Sequence, residues 1–249
     1  MGFYKDDSTL TAVALAPKKP VKTLPPASSA LGGVARSYNA IGGLVDRLSA
    51  VTGIETIAAL AVWMVESGGR PFTQGKPVLR FENHIFWDRW GSDNQASYDL
   101  HFQFGGHGNV TGKRTENHRW RAKATDPWAA FHGDQANEYD CYHFARTLSG
   151  VELAAQSASW GGTQVMGFNH GLIGYDSAFD MVNAFARDLR WQVLGFFDFC
   201  KSAGLVDEIR AHDWVTFGNG YNGPGGGAAY GPKLKAIYDL KKQFDALPR

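Results

Sequence analysis

The chain has 249 residues, and its 25 Lys and Arg against 24 Asp and Glu give a formal net charge of +1 with His neutral. Without clustered basic charge there is no large counterion-release term, so a nucleic-acid or anionic-membrane binder is excluded. The longest apolar run, Ile57 to Val65, is about half of the ~20 residues a membrane-spanning helix requires, and no span is expected. Hydrophobic residues at 44% supply a sizeable core. Cys141 and Cys200 are too few for a disulfide scaffold or a four-ligand structural zinc site, and read as buried apolar thiols whose pairing the sequence leaves open.

Residues 1–34 differ in composition from the rest of the chain: Pro17, Pro20, Pro25 and Pro26 sit among Lys18, Lys19 and Lys22, ahead of a Ser/Ala/Gly stretch ending at Gly33. Such a segment buries little, so a flexible tail or linker is expected there, followed by one domain over 35–249. Asp6 and Asp7 precede only a short apolar stretch, Leu10 to Ala16, unlike a secretory signal with its basic start.

From about Ala35 the pattern turns helical. Thr52-Gly53-Ile54-Glu55 has the form of a capping box. Ile54, Ile57, Ala58, Ala61, Val62 and Val65 then recur with the helical period. Leu60, Trp63 and Met64 cover the other sides, which predicts a helix buried all round and stopped by Ser67-Gly68-Gly69. Between Arg70 and Pro127 the periodicity fails, with short strands or a hairpin expected near Val78 to Phe81 and Leu100 to Phe104. Further helices are expected over Glu138 to Thr147, Ala178 to Ser202, Leu205 to Trp214 and Pro232 to Leu247. The fold class is therefore mainly α (α+β).

Glu66 ends a helix that is otherwise apolar on every face. Desolvation and the negative end of the helix macrodipole both favour its protonated form. A carboxyl group kept neutral is what a general acid needs to protonate a leaving-group oxygen. The alternative is a solvated glutamate at an exposed helix end. Two glycine-opened segments accompany it: Gly161-Gly162-Thr163-Gln164-Val165-Met166-Gly167 after Ser157-Ala158-Ser159-Trp160, and Gly218-Asn219-Gly220-Tyr221-Asn222-Gly223-Pro224-Gly225. Each reads either as an ordinary turn or as one wall of a polar polymer groove.

Together with Val65-Glu66-Ser67-Gly68-Gly69 and Lys76 to Phe86, which contains Phe81-Glu82-Asn83-His84-Ile85-Phe86, these segments resemble the N-acetylmuramidase family of bacteriophage endolysins and prophage-derived lytic proteins, within the lysozyme-like superfamily. The resemblance covers roughly residues 40–245. It implies a lysozyme-like helical domain with a small irregular or β-hairpin subdomain flanking a substrate groove. It also implies cleavage of the β-1,4 bond between N-acetylmuramic acid and N-acetylglucosamine in bacterial peptidoglycan. The catalytic acid then falls on Glu66 and the second acidic position on Glu82, for which an ion pair with Arg80 or Arg89 is the structural alternative. Substrate-binding positions implied are Ser67, His84, Trp160, Gln164, Asn169, Tyr221 and Asn222, with Trp160 and His84 alternatively filling the core. The chain departs from the family at Asn83, where many relatives carry Arg, and at Gly162-Thr163, where they carry bulky apolar residues. Residues 1–34 are also too short for the N-terminal wall-binding module that relatives often bear.

No cofactor and no metal are expected, because His101, His107 and His118 lack zinc-ligand spacing. A lytic transglycosylase forming 1,6-anhydro ends, and a non-catalytic peptidoglycan-binding component of a phage or secretion particle, are the alternative functions. Expected partners are peptidoglycan as polymer substrate, with a holin for release or a secretion apparatus for docking, and an immunity protein if the chain is injected. A monomer is expected, made in the bacterial cytoplasm and acting in the periplasm or cell wall.

Overall fold

The computed structural model describes residues 2–249. Its contacts divide the chain into two compact units. The first comprises the chain up to Pro71, Leu172–Gly174 and Arg187–Arg249; the second comprises Phe72–Gly171 and Tyr175–Ala186. The first unit is thus discontinuous in sequence.

The first unit begins with a short helix α1 (Ser8–Thr11) and the long α2 (Ala30–Thr52), followed by α3 (Thr56–Ser67). The segment expected to be a flexible tail is packed instead. Leu10 and Val21 are buried at 1% and 3% exposure. The amide of Val21 donates to Asn39 Oδ1 at 2.7 Å and its carbonyl accepts from Asn39 Nδ2 at 2.9 Å, while Lys22 donates to the Pro248 carbonyl at 2.9 Å. Composition misses this because, beyond the single turns at Tyr4–Asp6 and Ser8–Thr11 and the start of α2, the segment draws its partners from elsewhere. The physical trace lies in α2: a Cβ on Gly43 would come within 2.3 Å of the Ala16 carbonyl oxygen, so only glycine lets the segment cross there.

The predicted helix around Ile57 is α3, buried continuously from Ile57 to Trp63 and ended at Gly68 with φ 61°. The capping box does not form. Thr52 Oγ1 donates to the Leu48 carbonyl and accepts from the Ile54 amide, serving the end of α2, and Glu55 sits at the N-cap of α3 without a side-chain cap. The carboxylate of Glu55 goes instead to Tyr238 Oη at 2.8 Å, His212 at 3.1 Å and Lys241 at 3.3 Å.

The second unit carries three small antiparallel sheets. β1 (Phe72–Thr73) pairs with β2 (Lys76–Pro77), and β3 (Leu79–Phe81) leads into α4 (Asn83–Arg89) and α5 (Gln95–His101). β4 (Phe102–Gln103), β5 (Arg119–Trp120) and β6 (Ala129–Ala130) form a second sheet in that order. After α6 (Gln135–Ser149) and α7 (Val151–Gln156), β7 (Ala158–Trp160) pairs with both β3 and β8 (Val165–Met166), and α8 (Ala178–Arg187) closes the unit. Its core is aromatic, with Phe81, Phe86, Tyr98 and Phe102 packed at centroid separations from 5.1 to 6.4 Å.

The chain then returns to the first unit through α9 (Leu189–Ser202), α10 (Val206–Arg210), α11 (Trp214–Asn222), α12 (Gly227–Tyr238) and α13 (Lys241–Asp245). The single helix expected over Ala178 to Ser202 breaks at Asp188, whose extended backbone and side chain, accepting from the Arg190 amide at 2.8 Å, begin α9. The glycine-rich stretch before Gly223, expected to be open loop, is the helix α11. Both cysteines are buried free thiols, in agreement with the apolar reading.

Candidate active site

In the first unit, α3 carries Glu66 in its last turn, where the apolar face that packs against α2 and α12 runs out. Its Oε1 is enclosed and has no hydrogen-bond partner. Burial raises the Glu66 pKa to about 7, against smaller lowering effects from Tyr230, Asn222 and Lys233. Near neutral pH the group therefore remains substantially protonated.

The elements facing Glu66 are set by glycine. A Cβ on Gly227 would lie 2.0 Å from the Val215 carbonyl oxygen, so α11 and α12 approach closely only because this position is glycine. The Gly227 amide donates to Asn219 Oδ1 at 2.9 Å, fixing the start of α12. That approach sets Tyr230 in the fold. Its ring lies parallel to Tyr221, 5° between planes, and Tyr221 in turn packs on Phe199 and Phe217 at 5.2 and 5.3 Å. Asn222, at the end of α11, is exposed. Ser67 donates its hydroxyl to the Trp63 carbonyl at 3.1 Å, one turn back along α3. The structure thus groups Glu66 with Asn222, backs it with the Tyr221 stack, and adds Tyr230 and Lys233, which no local sequence pattern singles out.

In the second unit, Glu82 lies between β3 and α4. Its Oε1 accepts from Arg80 Nε at 2.7 Å, and its Oε2 lies 3.5 Å from His84 Nδ1 and 3.4 Å from His118 Nδ1. Burial raises the Glu82 pKa, with Arg80 opposing, and burial also pushes His84 down to about 4 and His118 to about 3. His118 Nε2 donates to the Arg114 carbonyl at 2.9 Å, and its Nδ1 faces His132 Nε2 at 2.8 Å. His132 Nδ1 in turn meets Glu138 Oε1 at 3.0 Å. Glu138 Oε2 accepts from the Phe81 amide at 2.9 Å. Asn83, fully buried, bridges the carbonyls of Gln103 and Arg119 with its amide nitrogen at 2.8 Å each, so the departure from Arg at this position joins β4 to β5.

Trp160 and Gln164, two other implied binding residues of this unit, are committed to the fold. Trp160 is 1% exposed and donates its indole N–H to the Ala155 carbonyl at 2.9 Å, so it is a core residue and not a sugar platform. Gln164, at φ 52° in the turn between β7 and β8, accepts from Ser159 Oγ at 2.8 Å and donates to the Gly161 and Val78 carbonyls at 2.9 and 3.3 Å. Both ends of its amide hold that turn together. Asn169 ends the 3-10 turn Gly167–Asn169. Histidine spacing along the chain also fails to anticipate the cluster of Glu82, His84 and His118, whose donor atoms all lie within 4.8 Å of one another.

Residues 55–242 match the family described as N-acetylmuramidase, which is most of the chain. The chain belongs to the N-acetylmuramidase family. It is accordingly a glycoside hydrolase acting on peptidoglycan. Among solved structures it is similar to the crystal structure of the endolysin of Burkholderia phage AP3, with 26% identity and a TM-score of 0.60 over 81% of this chain and 70% of that one. That likeness agrees with the α+β, lysozyme-like fold class expected from the sequence. No match is found among curated proteins. No described helix is long and apolar enough to cross a membrane.

Proposed function

We propose that Glu66 is the general acid that protonates the glycosidic oxygen between N-acetylmuramic acid and N-acetylglucosamine. The observation that carries this reading is its enclosed carboxyl group, which holds a proton to about pH 7. That range suits a group which must donate a proton near neutrality and regain it each cycle. Asn222, exposed beside it, is the residue we assign to orienting the sugar. Mass spectrometry of fragments released from purified sacculi tests the assignment. Reducing N-acetylmuramic acid ends from the natural chain, and none from Glu66→Gln, are expected; equal release from both would reject it.

For Glu82 the family resemblance supports a second catalytic carboxylate, either a nucleophile or a base for water. A second reading is favoured by its surroundings, with Arg80 on one oxygen and two imidazoles facing the other. It makes Glu82 a fixed structural anion and leaves Glu66 as the sole acid. Anhydro ends in the same fragment analysis, from a chain with or without Glu82→Gln, would identify transglycosylation and decide for the second reading. Delivery to the wall through a holin is supported by the likeness to a phage endolysin. Loss of lysis when a producing cell lacks the holin, with lysis of isolated sacculi unchanged, is the expected result.

A further inference from the structure

We propose that Glu82, His84 and His118 bind one divalent transition-metal ion, best matched by zinc. The inference rests on the second reading of Glu82 and is independent of the role of Glu66.

The donor atoms have the spacing a metal needs. Glu82 Oε2 is 3.5 Å from His84 Nδ1 and 3.4 Å from His118 Nδ1. Ligands of tetrahedral zinc at ~2.0–2.1 Å are separated from one another by about 3.3–3.4 Å. Both contacts are too long for good hydrogen bonds and match the ligand separations of zinc, and all three donor atoms lie within 4.8 Å of one another.

Polar satisfaction points the same way. Glu82 Oε2 and His84 Nδ1 are enclosed and have no hydrogen-bond partner. Two such atoms 3.5 Å apart, both removed from water, are costly unless a positive centre joins them.

The groups behind the imidazoles fix which nitrogen carries the lone pair. The Arg114 carbonyl can only accept, so His118 Nε2 carries the proton and Nδ1 carries the lone pair, 2.8 Å from His132 Nε2 and 3.4 Å from Glu82 Oε2. Behind it, the Glu138 carboxylate accepts from His132 Nδ1, and His132 Nε2 lies 2.8 Å from His118 Nδ1, which holds the His118 ring in place. Carbonyl and carboxylate acceptors behind ligating imidazoles are the usual means of fixing tautomer and ring orientation around zinc.

The chemistry of the set also selects among metals. Imidazole nitrogens with one carboxylate oxygen suit zinc and its neighbours, whereas calcium and magnesium require mostly oxygen. Of the nearby guanidinium groups, Arg80 pairs with the other Glu82 oxygen and Arg114 with Asp88 at 2.6 Å. The ligands come from the start of α4 and the approach to β5, so the ion would clip together the stretch between Arg70 and Pro127 where the sequence has no periodicity.

Zinc chloride titrated into the chelator-treated full chain, followed by calorimetry, tests the proposal. One zinc per chain is expected, with binding at least about tenfold weaker in His84→Ala and in Glu82→Gln. The melting temperature of the natural chain should rise by about 5–10 °C at zinc a hundredfold above Kd, and that of His84→Ala should not move. No stoichiometric uptake, or equal uptake by natural chain and both variants, would overturn it. X-ray absorption of the zinc-loaded natural chain serves if the variants fail to fold. Imidazole scattering is expected, and sulfur in the first coordination shell would transfer the ion to Cys141 or Cys200 and reject the site.

Discussion

Glu66 is a carboxyl group that the helix and its neighbours keep from ionising, and this governs its behaviour with pH. Activity requiring the protonated form should fall as pH rises through about 7, and Glu66→Gln should lower turnover by about 10²–10⁴-fold, the usual worth of a general acid. Tyr230 acts to lower this pKa, so Tyr230→Phe should move the alkaline limb of the rate profile to higher pH. The stability consequence has a definite sign. The folded pKa lies above the unfolded one, so the contribution is fully present below about pH 4.5 and is lost as pH rises through about 7. Thermal denaturation should therefore find Glu66→Gln more stable than the natural chain at pH 8, by roughly 1–3 kcal/mol, with the two converging near pH 4. Glu66 is legible in the sequence because a lone carboxylate interrupts an apolar helix. Tyr230 and Lys233 are not, since they reach Glu66 from a helix near the other end of the chain.

At the scale of elements, the sequence shows α3 and its stop clearly, because burial on all sides imposes a continuous apolar run. It misleads at α11, where Gly218-Asn219-Gly220 has poor helix propensity and reads as a turn. Tertiary packing reverses that preference: a Cβ on Gly218 would lie 2.9 Å from Gly227 Cα, so this glycine lets α11 approach α12, while Gly220 makes room for Leu205. Gly227→Ala places a methyl group against the Val215 carbonyl. It should cost about 1–3 kcal/mol in chemical denaturation and reduce lytic activity as well, by moving Tyr230 relative to Glu66. The three small sheets are only partly legible, because two- and three-residue strands are too short to display alternation.

For the whole molecule, the sequence conveys the fold class but not the division into units, since nothing local marks where a chain leaves a unit and returns to it. The N-terminal segment is the plainest case. Its amides at Tyr4 and Lys5 donate to the buried Asp198 carboxylate at 2.6 and 3.1 Å. Burial raises Asp198 to about 6, with those two amides acting in the opposite direction. Asp198→Ala should release the segment, which limited proteolysis would detect as cleavage near Lys18 and Lys19 under conditions where the natural chain stays intact.

The discontinuity of the first unit bears on the order of events during synthesis. Chains emerge and fold from the N-terminus, so Phe72 to Ala186 is translated before the later half of the unit that holds Glu66. Until α11 and α12 have been made, Glu66 sits at the open end of α3 without Tyr230 or Asn222, hydrated and ionised like any surface glutamate. The burial that raises its pKa is therefore complete only when translation is nearly over. On the proposed assignment of Glu66, a chain truncated before α11 should release no fragments from sacculi, which the same fragment analysis would check.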